Sequence, residues 1–164
     1  MLEKYKNLTF RKAIETDIDT LISIYDSANS LFDESFRAGG TKNVFIDLLN
    51  DSEVFIYNDN KDLAFLSSKL VDDMLIVTGM YVLIEHQRNG LGTKMLNDLL
   101  EQTEDIQYII LRALKNAHWS NAFYKKYGFI LIDELDELSI EELSPKLRES
   151  HHANTWVMKY NYSE

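Results

Sequence analysis

A chain of 164 residues, 45% of them hydrophobic, suits one domain with a core large enough to fold without disulfides or metal, and the absence of cysteine removes thiol nucleophiles and thiolate metal sites together. With 27 acidic against 17 basic residues the formal net charge is -10, which argues against a sequence-independent nucleic-acid binder and favours a cationic partner, although most such charge is solvated surface. Residues 1–10 are charged and polar, so no signal peptide is visible, and the longest apolar run, Met74 to Ile84, is interrupted by Thr78 and Gly79 and falls far short of the roughly 20 residues of a membrane helix; the expectation is a soluble cytoplasmic protein that engages neither membrane nor nucleic acid.

Leu8 to Ala13 reads as a short strand. Thr16 with Asp19 resembles a capping box before the apolar positions Ile18, Leu21, Ile22 and Tyr25, so the strand leads into a helix ending near Asn29. Asp33 to Gly40 is a charged, glycine-ended connection to a second helix that places Val44, Phe45, Leu48 and Leu49 on one face. Glu53 to Tyr57 is a strand, Asn58 to Lys61 a turn, Leu63 to Val71 the partner strand and Asp72-Asp73 another turn. Met74 to Leu83 makes a third consecutive antiparallel strand, in which Gly79 marks a bulge or a close backbone approach.

The stretch Met80 to Leu96 then joins a buried strand, a tight glycine turn and a helix whose apolar stripe is Leu91, Met95, Leu96, Leu99 and Leu100. Backbone N–H groups leave such a turn together, the helix start adds partial positive charge, Gly90 and Gly92 keep side chains away, and Arg88 supplies a charge-assisted contact. Gln87 to Thr93 is therefore a candidate phosphate cradle, although two glycines ahead of a helix also occur where nothing binds. It is not a Walker loop, because no Gly-Lys-Ser/Thr ending follows, and the Rossmann glycine pattern is absent.

Beyond it, Ile106 to Leu111 is an apolar strand and a helix from about Ala117 to Tyr127 stops at Gly128 as a C-cap would. Phe129 to Ile132 is a strand, Ser139 to Glu149 an acidic helix interrupted at Pro145, and Thr155 to Tyr160 a last strand. The implied fold is mixed α/β: a single domain over residues 1–164 with about seven strands in one mostly antiparallel mixed sheet flanked by helices.

With these elements in place the sequence resembles the GNAT superfamily of acyl-CoA-dependent N-acetyltransferases. Gln87-Arg88-Asn89-Gly90-Leu91-Gly92 fits that family's Gln/Arg-x-x-Gly-x-Gly/Ala pyrophosphate loop after a strand. Asn116, followed by Asn121-Ala122-Phe123-Tyr124 and Tyr127-Gly128-Phe129, fits its Asn, Ala-x-x-Tyr and Gly-Phe helix, and Leu8 to Asp17 is similar to its opening strand and helix start. The resemblance implies acetyl-CoA as acyl donor, no metal, and a pantetheine arm between the strand ending at Val82 and the strand ending near Leu111. It implies that the backbone of Met80, Tyr81 and Val82 holds that arm and the acetyl carbonyl, and that Gln87, Arg88, Asn89, Gly90, Leu91, Gly92 and Thr93 bind the pyrophosphate. Asn116 would contact the cofactor, with Asn121 as the alternative because Asn116 lies one residue further from Tyr124 than the commonest family spacing.

Acetyl transfer to an amine needs a neutral nucleophile, stabilisation of a tetrahedral oxyanion and a proton for the leaving thiolate. A backbone N–H near Val82 is the oxyanion candidate, and the resemblance places Tyr124 beside the sulfur as general acid; with reference values of about 10 for a phenol and about 8.5 for a thiol that transfer is uphill by roughly 2 kcal/mol. Tyr124 also reads as a packing residue beside Phe123 and Tyr127. No general base is assigned: Leu75 to Val82 and Tyr108 to Leu111 hold no carboxylate, Glu85 reads as solvated, and Asp33, Glu34, Asp72 and Asp73 as surface charges near the substrate mouth. His151-His152 reads as a polar loop, and His118 and Trp119 either touch a ligand or pack.

The leading expectation is thus an N-acetyltransferase acting on a primary amine, with a small cationic molecule favoured by the acidic balance. A peptide acceptor, either a protein N-terminus or a lysine, stands beside it, and a non-catalytic acyl-CoA-binding sensor is the reading from another class. Monomer and homodimer are both compatible with the sequence.

Overall fold

The computed structural model describes residues 2–30, 40–71, 74–103, 105–106, 108–114, 117–131 and 155–161. In chain order the elements are β1 (Thr9–Lys12), α1 (Ile18–Ala28), α2 (Lys42–Asp51), β2 (Glu53–Asn58), β3 (Asp62–Val71), β4 (Met74–Val82), α3 (Leu91–Gln102), β5 (Tyr108–Leu114), α4 (His118–Tyr127), β6 (Ile130–Leu131) and β7 (Thr155–Asn161). The strand order is β1-β2-β3-β4-β5-β7-β6, the mixed α/β architecture expected. Two compact units divide the chain, Met1–Lys69 with Thr78–Glu104 and Leu70–Val77 with Asp105–Glu164, so β4 contributes to both.

In the first unit β1 runs antiparallel to β2, from Thr9↔Asn58 to Lys12↔Phe55, and β2 antiparallel to β3, with a register shift at Tyr57/Asn58. The turn between β2 and β3 uses Asn60 in the left-handed region, φ 64, and Asn58 Nδ2 donates to Asp62 Oδ1 at 2.9 Å. Leu63 to Ser68 of β3 are buried without a break, the pattern of a strand covered on both faces. Alternate residues of β2 serve different neighbours. Val54 and Ile56 join Leu21 and Ile24 of α1, Phe45 of α2 and Phe65 of β3 in one core cluster. Burying each Leu or Ile there contributes roughly 2 kcal/mol. Tyr57 is hydrogen-bonded to Asp98 of α3, whose Leu91, Met95, Leu96 and Leu99 form the expected buried stripe.

Two local expectations are corrected. The start of α1 is not a Thr16/Asp19 box: a 3-10 turn, Glu15–Asp17, precedes it, and Asp17 Oδ2 accepts the Ile14 N–H at 2.9 Å while Arg11 holds the same carboxylate. Helix α2 is capped by Thr41, whose Oγ1 accepts from the Val44 N–H at 3.4 Å, and it buries Phe45 but leaves Val44 53% exposed.

In the second unit Met74–Val77 of β4 run parallel to Tyr108–Leu111 of β5, β5 pairs antiparallel with β7 along its whole length, and β6 adds to the far side of β7. The strand expected over Ile106 to Leu111 is displaced to Tyr108–Leu114, with Ile106 buried ahead of it. Helix α4 ends as expected at Gly128, φ 119, whose N–H donates to the carbonyls of Tyr124 and Lys125. The short strand after it is described over Ile130–Leu131; of the expected Phe129 to Ile132, Phe129 precedes it and Ile132 lies outside the described residues.

Candidate functional site

The glycine turn of the first unit is built by its own short hydrogen bonds. The Leu83 N–H donates to the Leu63 carbonyl at 2.9 Å and the Ile84 N–H to Ser27 Oγ at 3.0 Å, which anchors the end of β4. A 3-10 turn, Ile84–His86, follows, and His86 Nδ1 lies 3.1 Å from the Tyr5 hydroxyl. Partial burial, then the positive charge of Lys61, lowers the His86 pKa and favours a neutral ring. Gln87 Nε2 donates to the Val82 carbonyl at 3.1 Å, and Asn89 Nδ2 to the Gln87 carbonyl at 3.0 Å. Gln87 and Asn89 are therefore clamps that shape the loop.

Two residues of this loop are left-handed: Arg88 at φ 62 and Gly90 at φ 87. Gly90 is the N-cap of α3 and offers no side chain to the helix, which opens with the Lys94 N–H donating to the Gly90 carbonyl at 3.1 Å. The amides of Leu91, Gly92 and Thr93 belong to the first turn, where no preceding helical carbonyl exists to accept them. Gly92 lies inside that turn and keeps it free of bulk. Arg88 is exposed and makes no ion pair among the described residues. The arrangement can hold an anion on amide dipoles and one guanidinium.

One turn further along α3, Lys94 Nζ lies 3.0 and 3.2 Å from the two Asp98 oxygens, and the Tyr57 hydroxyl donates to Asp98 Oδ2 at 2.9 Å. Asp98 is 8% exposed. Burial and then the Asp98 bond raise the Tyr57 pKa, so this phenol stays a donor. Nothing in the local sequence signals this link, which joins residues 41 positions apart.

Met74 to Val77 of β4 keep register with β5, and the strand itself continues through Met80, Tyr81 and Val82, which are half-buried. Gly79 is a close-approach glycine: a Cβ there would come within 2.9 Å of Ser67 Oγ and 3.0 Å of Tyr81 Cε2. Next to it the hydroxyls of Ser52, Thr78 and Ser67 form a chain with links of 3.0 and 2.9 Å. The same unit contains a cleft of about 330 Å³ that the sequence did not disclose, lined by aromatic residues of α1, α2, β3 and β4 and by Asp47 and Asp51.

In the second unit Tyr124 is buried on α4, its ring 5.3 Å from that of Phe123 and 5.6 Å from that of Phe129. Burial pushes its hydroxyl up to about 12. Asn121 is half-buried on the same helix. His118 and Trp119 open that helix, with Trp119 37% exposed. Glu85, in the first unit, is exposed and lies 3.4 Å from Lys61. Asn116, Asp33, Glu34, Asp72, Asp73, His151 and His152 lie outside the described residues, as does the acidic segment 133–149. Among the described residues no group of His, Asp or Glu could hold a metal ion, and no helix is long and apolar enough to cross a membrane.

The family model for the acetyltransferase (GNAT) domain matches residues 50–131, half of the 164-residue chain. No curated protein matches it in sequence. Among solved structures the chain is similar to the PaiA N-acetyltransferase from Thermoplasma acidophilum in complex with coenzyme A, with a TM-score of 0.73 at 15% identity over 95% of this chain and 99% of that one. An acetyltransferase from Thermus thermophilus gives 0.73 at 12% identity, covering 96% and 98%. The ribosomal-protein-S18-alanine N-acetyltransferase from Escherichia coli gives 0.68 at 18%, covering 94% and 93%. At such identities the likeness shows the fold.

Proposed function

The chain belongs to the acetyltransferase (GNAT) domain family, and from that premise we propose that it moves an acetyl group from acetyl-CoA to a primary amine, with a small cationic amine as acceptor. The observation that carries this reading is the left-handed Gly90 at the start of α3, which leaves the first amides of a twelve-residue helix without a side-chain cap, two residues after the left-handed Arg88. That donor set fits a pyrophosphate: several N–H groups, one guanidinium, no carboxylate in Gln87 to Thr93, and no side chain at Gly90 or Gly92. The coenzyme A complex of the Thermoplasma acidophilum protein, a fold neighbour, supports the same ligand here.

Acetyl-CoA supplies an activated acyl carbon, whose bond to sulfur breaks as the amine nitrogen bonds to it. Arg88 and the amides of Leu91, Gly92 and Thr93 bind the pyrophosphate, while Gln87 and Asn89 hold the loop in shape. The backbone of Met80, Tyr81 and Val82 carries the pantetheine arm, and an N–H of that stretch stabilises the negative charge that develops on the acyl oxygen. The Tyr124 O–H gives its proton to the sulfur, the proton lost by the amine passes to water, and exchange with solvent returns a proton to the Tyr124 oxygen. Asn116, with Asn121 as the alternative, contacts the cofactor.

The test is release of free thiol from acetyl-CoA by the purified protein across a panel of amines. Acceptor-dependent release upholds the reading. Tight acetyl-CoA binding with no acceptor-dependent release across a broad panel refutes it in favour of a binding module.

A further inference from the structure

We propose that the cleft of the first unit is the acceptor site and that it takes a dication, a short alkyl chain with an amine at each end. The proposal rests on the acetyl-transfer reading above and adds to it a location and a chemical class. Four rings line the cleft and close a circuit of contacts: Tyr25 to Phe45 at 5.7 Å, Phe45 to Phe65 at 6.1 Å, Phe65 to Tyr81 at 5.2 Å and Tyr81 to Tyr25 at 4.9 Å. Phe45 and Phe65 are buried and form its floor, whereas Tyr25 and Tyr81 are half-buried. Aromatic rings attract alkylammonium groups through their quadrupoles and pack against methylene chains, and they offer a carboxylate nothing.

Two glycines make room for the tyrosines. A Cβ on Gly40 would stand 3.0 Å from Tyr25 Cδ1, and one on Gly79 would stand 3.0 Å from Tyr81 Cε2. The cleft volume of about 330 Å³ lies at the low end for small-molecule sites, which suits a compact ligand better than a length of peptide.

The carboxylates decide the charge. Asp47 and Asp51 stand one turn apart on α2 and both line the cleft. Asp51 is held by Lys69 Nζ at 2.8 Å, while Asp47 has no ion pair among the described residues. An amine that attacks an acyl carbon must be neutral, so the reacting nitrogen does not satisfy Asp47. A second nitrogen, still protonated, does. The far end of the ligand then lies along Thr78, Gly79 and Tyr81, on the part of β4 that leads to the glycine loop.

The experiment compares diaminobutane, butylamine, aminobutanoate and a short peptide with a free N-terminus as acceptors. Diaminobutane should exceed butylamine in kcat/KM by about threefold to fivefold, with aminobutanoate below both, because Asp47 is exposed and such a charge pair is worth up to about 1 kcal/mol. Asp47→Asn should lower the diaminobutane value by about threefold to fivefold, change the butylamine value by less than about 1.5-fold, and leave the KM for acetyl-CoA unchanged. Equal rates for diamine and monoamine, preference for the peptide, or indifference to Asp47→Asn would each overturn the proposal. If acetyl-CoA binds but no amine releases thiol, the transfer reading fails, and calorimetric titration of diaminobutane alone then judges the cleft. Binding that Asp47→Asn weakens upholds a dication site, and absence of binding overturns it.

Discussion

Replacing Tyr124 by Phe removes one hydroxyl and keeps the ring between Phe123 and Phe129, so the fold of α4 is retained. The structure alters what that hydroxyl can contribute. From reference values, protonating a thiolate from a phenol is uphill by about 2 kcal/mol, whereas a phenol pushed up to about 12 raises the figure to about 5 kcal/mol. A thiolate in water-poor surroundings is also destabilised, which narrows the gap. In the role proposed for it, Tyr124 is a workable acid without reaching the upper end of general-acid catalysis. We expect kcat for Tyr124→Phe to fall by about 100-fold, with the KM for acetyl-CoA within about threefold of the parent. The assay is steady-state thiol release with a saturating amine across the alkaline range. A phenol near 12 stays protonated throughout, so the parent profile should show no falling limb below about pH 10. An unchanged kcat would remove Tyr124 as the acid. A falling limb near pH 8 to 9, on the order of a thiol value, that Tyr124→Phe abolishes would show that burial does not set its titration.

The same raised value has a consequence for stability. A folded pKa above the unfolded one leaves stability whole below about pH 10 and removes it as pH rises toward about 12, by roughly 3 kcal/mol for Tyr124, so denaturant titrations of Tyr124→Phe should lose less over that interval. Gly90→Val places a β-branched residue at φ 87 and should weaken coenzyme A binding by more than about tenfold in calorimetry, since strain of about 1–2 kcal/mol and a new side chain act together. Tyr57→Phe takes a donor from the buried Asp98 carboxylate and should cost about 2 kcal/mol, lowering Tm by about 4–8 °C; an unchanged melt would show that the bond contributes nothing. The Arg11 hydrogen bond, ahead of the Ile14 N–H, holds Asp17 below the usual carboxylate range, so its contribution is present above the unfolded value and lost as pH falls through the depressed one; Asp17→Asn should flatten the acid limb of stability against pH.

What the sequence disclosed and what it hid divide along a physical line. Gly90 and Gly128 were legible because backbone with φ of 87 and 119 tolerates few other residues, so the glycines punctuate the chain where the structure turns. The strand and helix order was legible from apolar periodicity. The start of α1 was not, because three acceptor side chains, Thr16, Asp17 and Asp19, stand within four positions and only the Arg11 partner, in the preceding strand, selects Asp17. Tyr57 and Asp98 are 41 residues apart, beyond any local signal. The place of Asp47 at a cleft depends on Phe65 and Tyr81, which two separate strands bring to it, so no local pattern marks it. Spacing put Val44 on one face with Phe45, Leu48 and Leu49, yet the helix turns Phe45 to the core and leaves Val44 at the rim.

Arg88 stands apart from the other non-glycine residues in the left-handed region. Asn60 and Asp105 are the kinds of residue whose short polar side chains make that conformation inexpensive, and Arg88, at φ 62, has no such local help. Glycine or asparagine would rest there with less strain, so a library selected only for thermal tolerance should drift away from arginine at this position. A library selected for turnover should keep it. The divergence of the two populations would measure, at one residue, how far endurance and activity pull the same backbone in different directions.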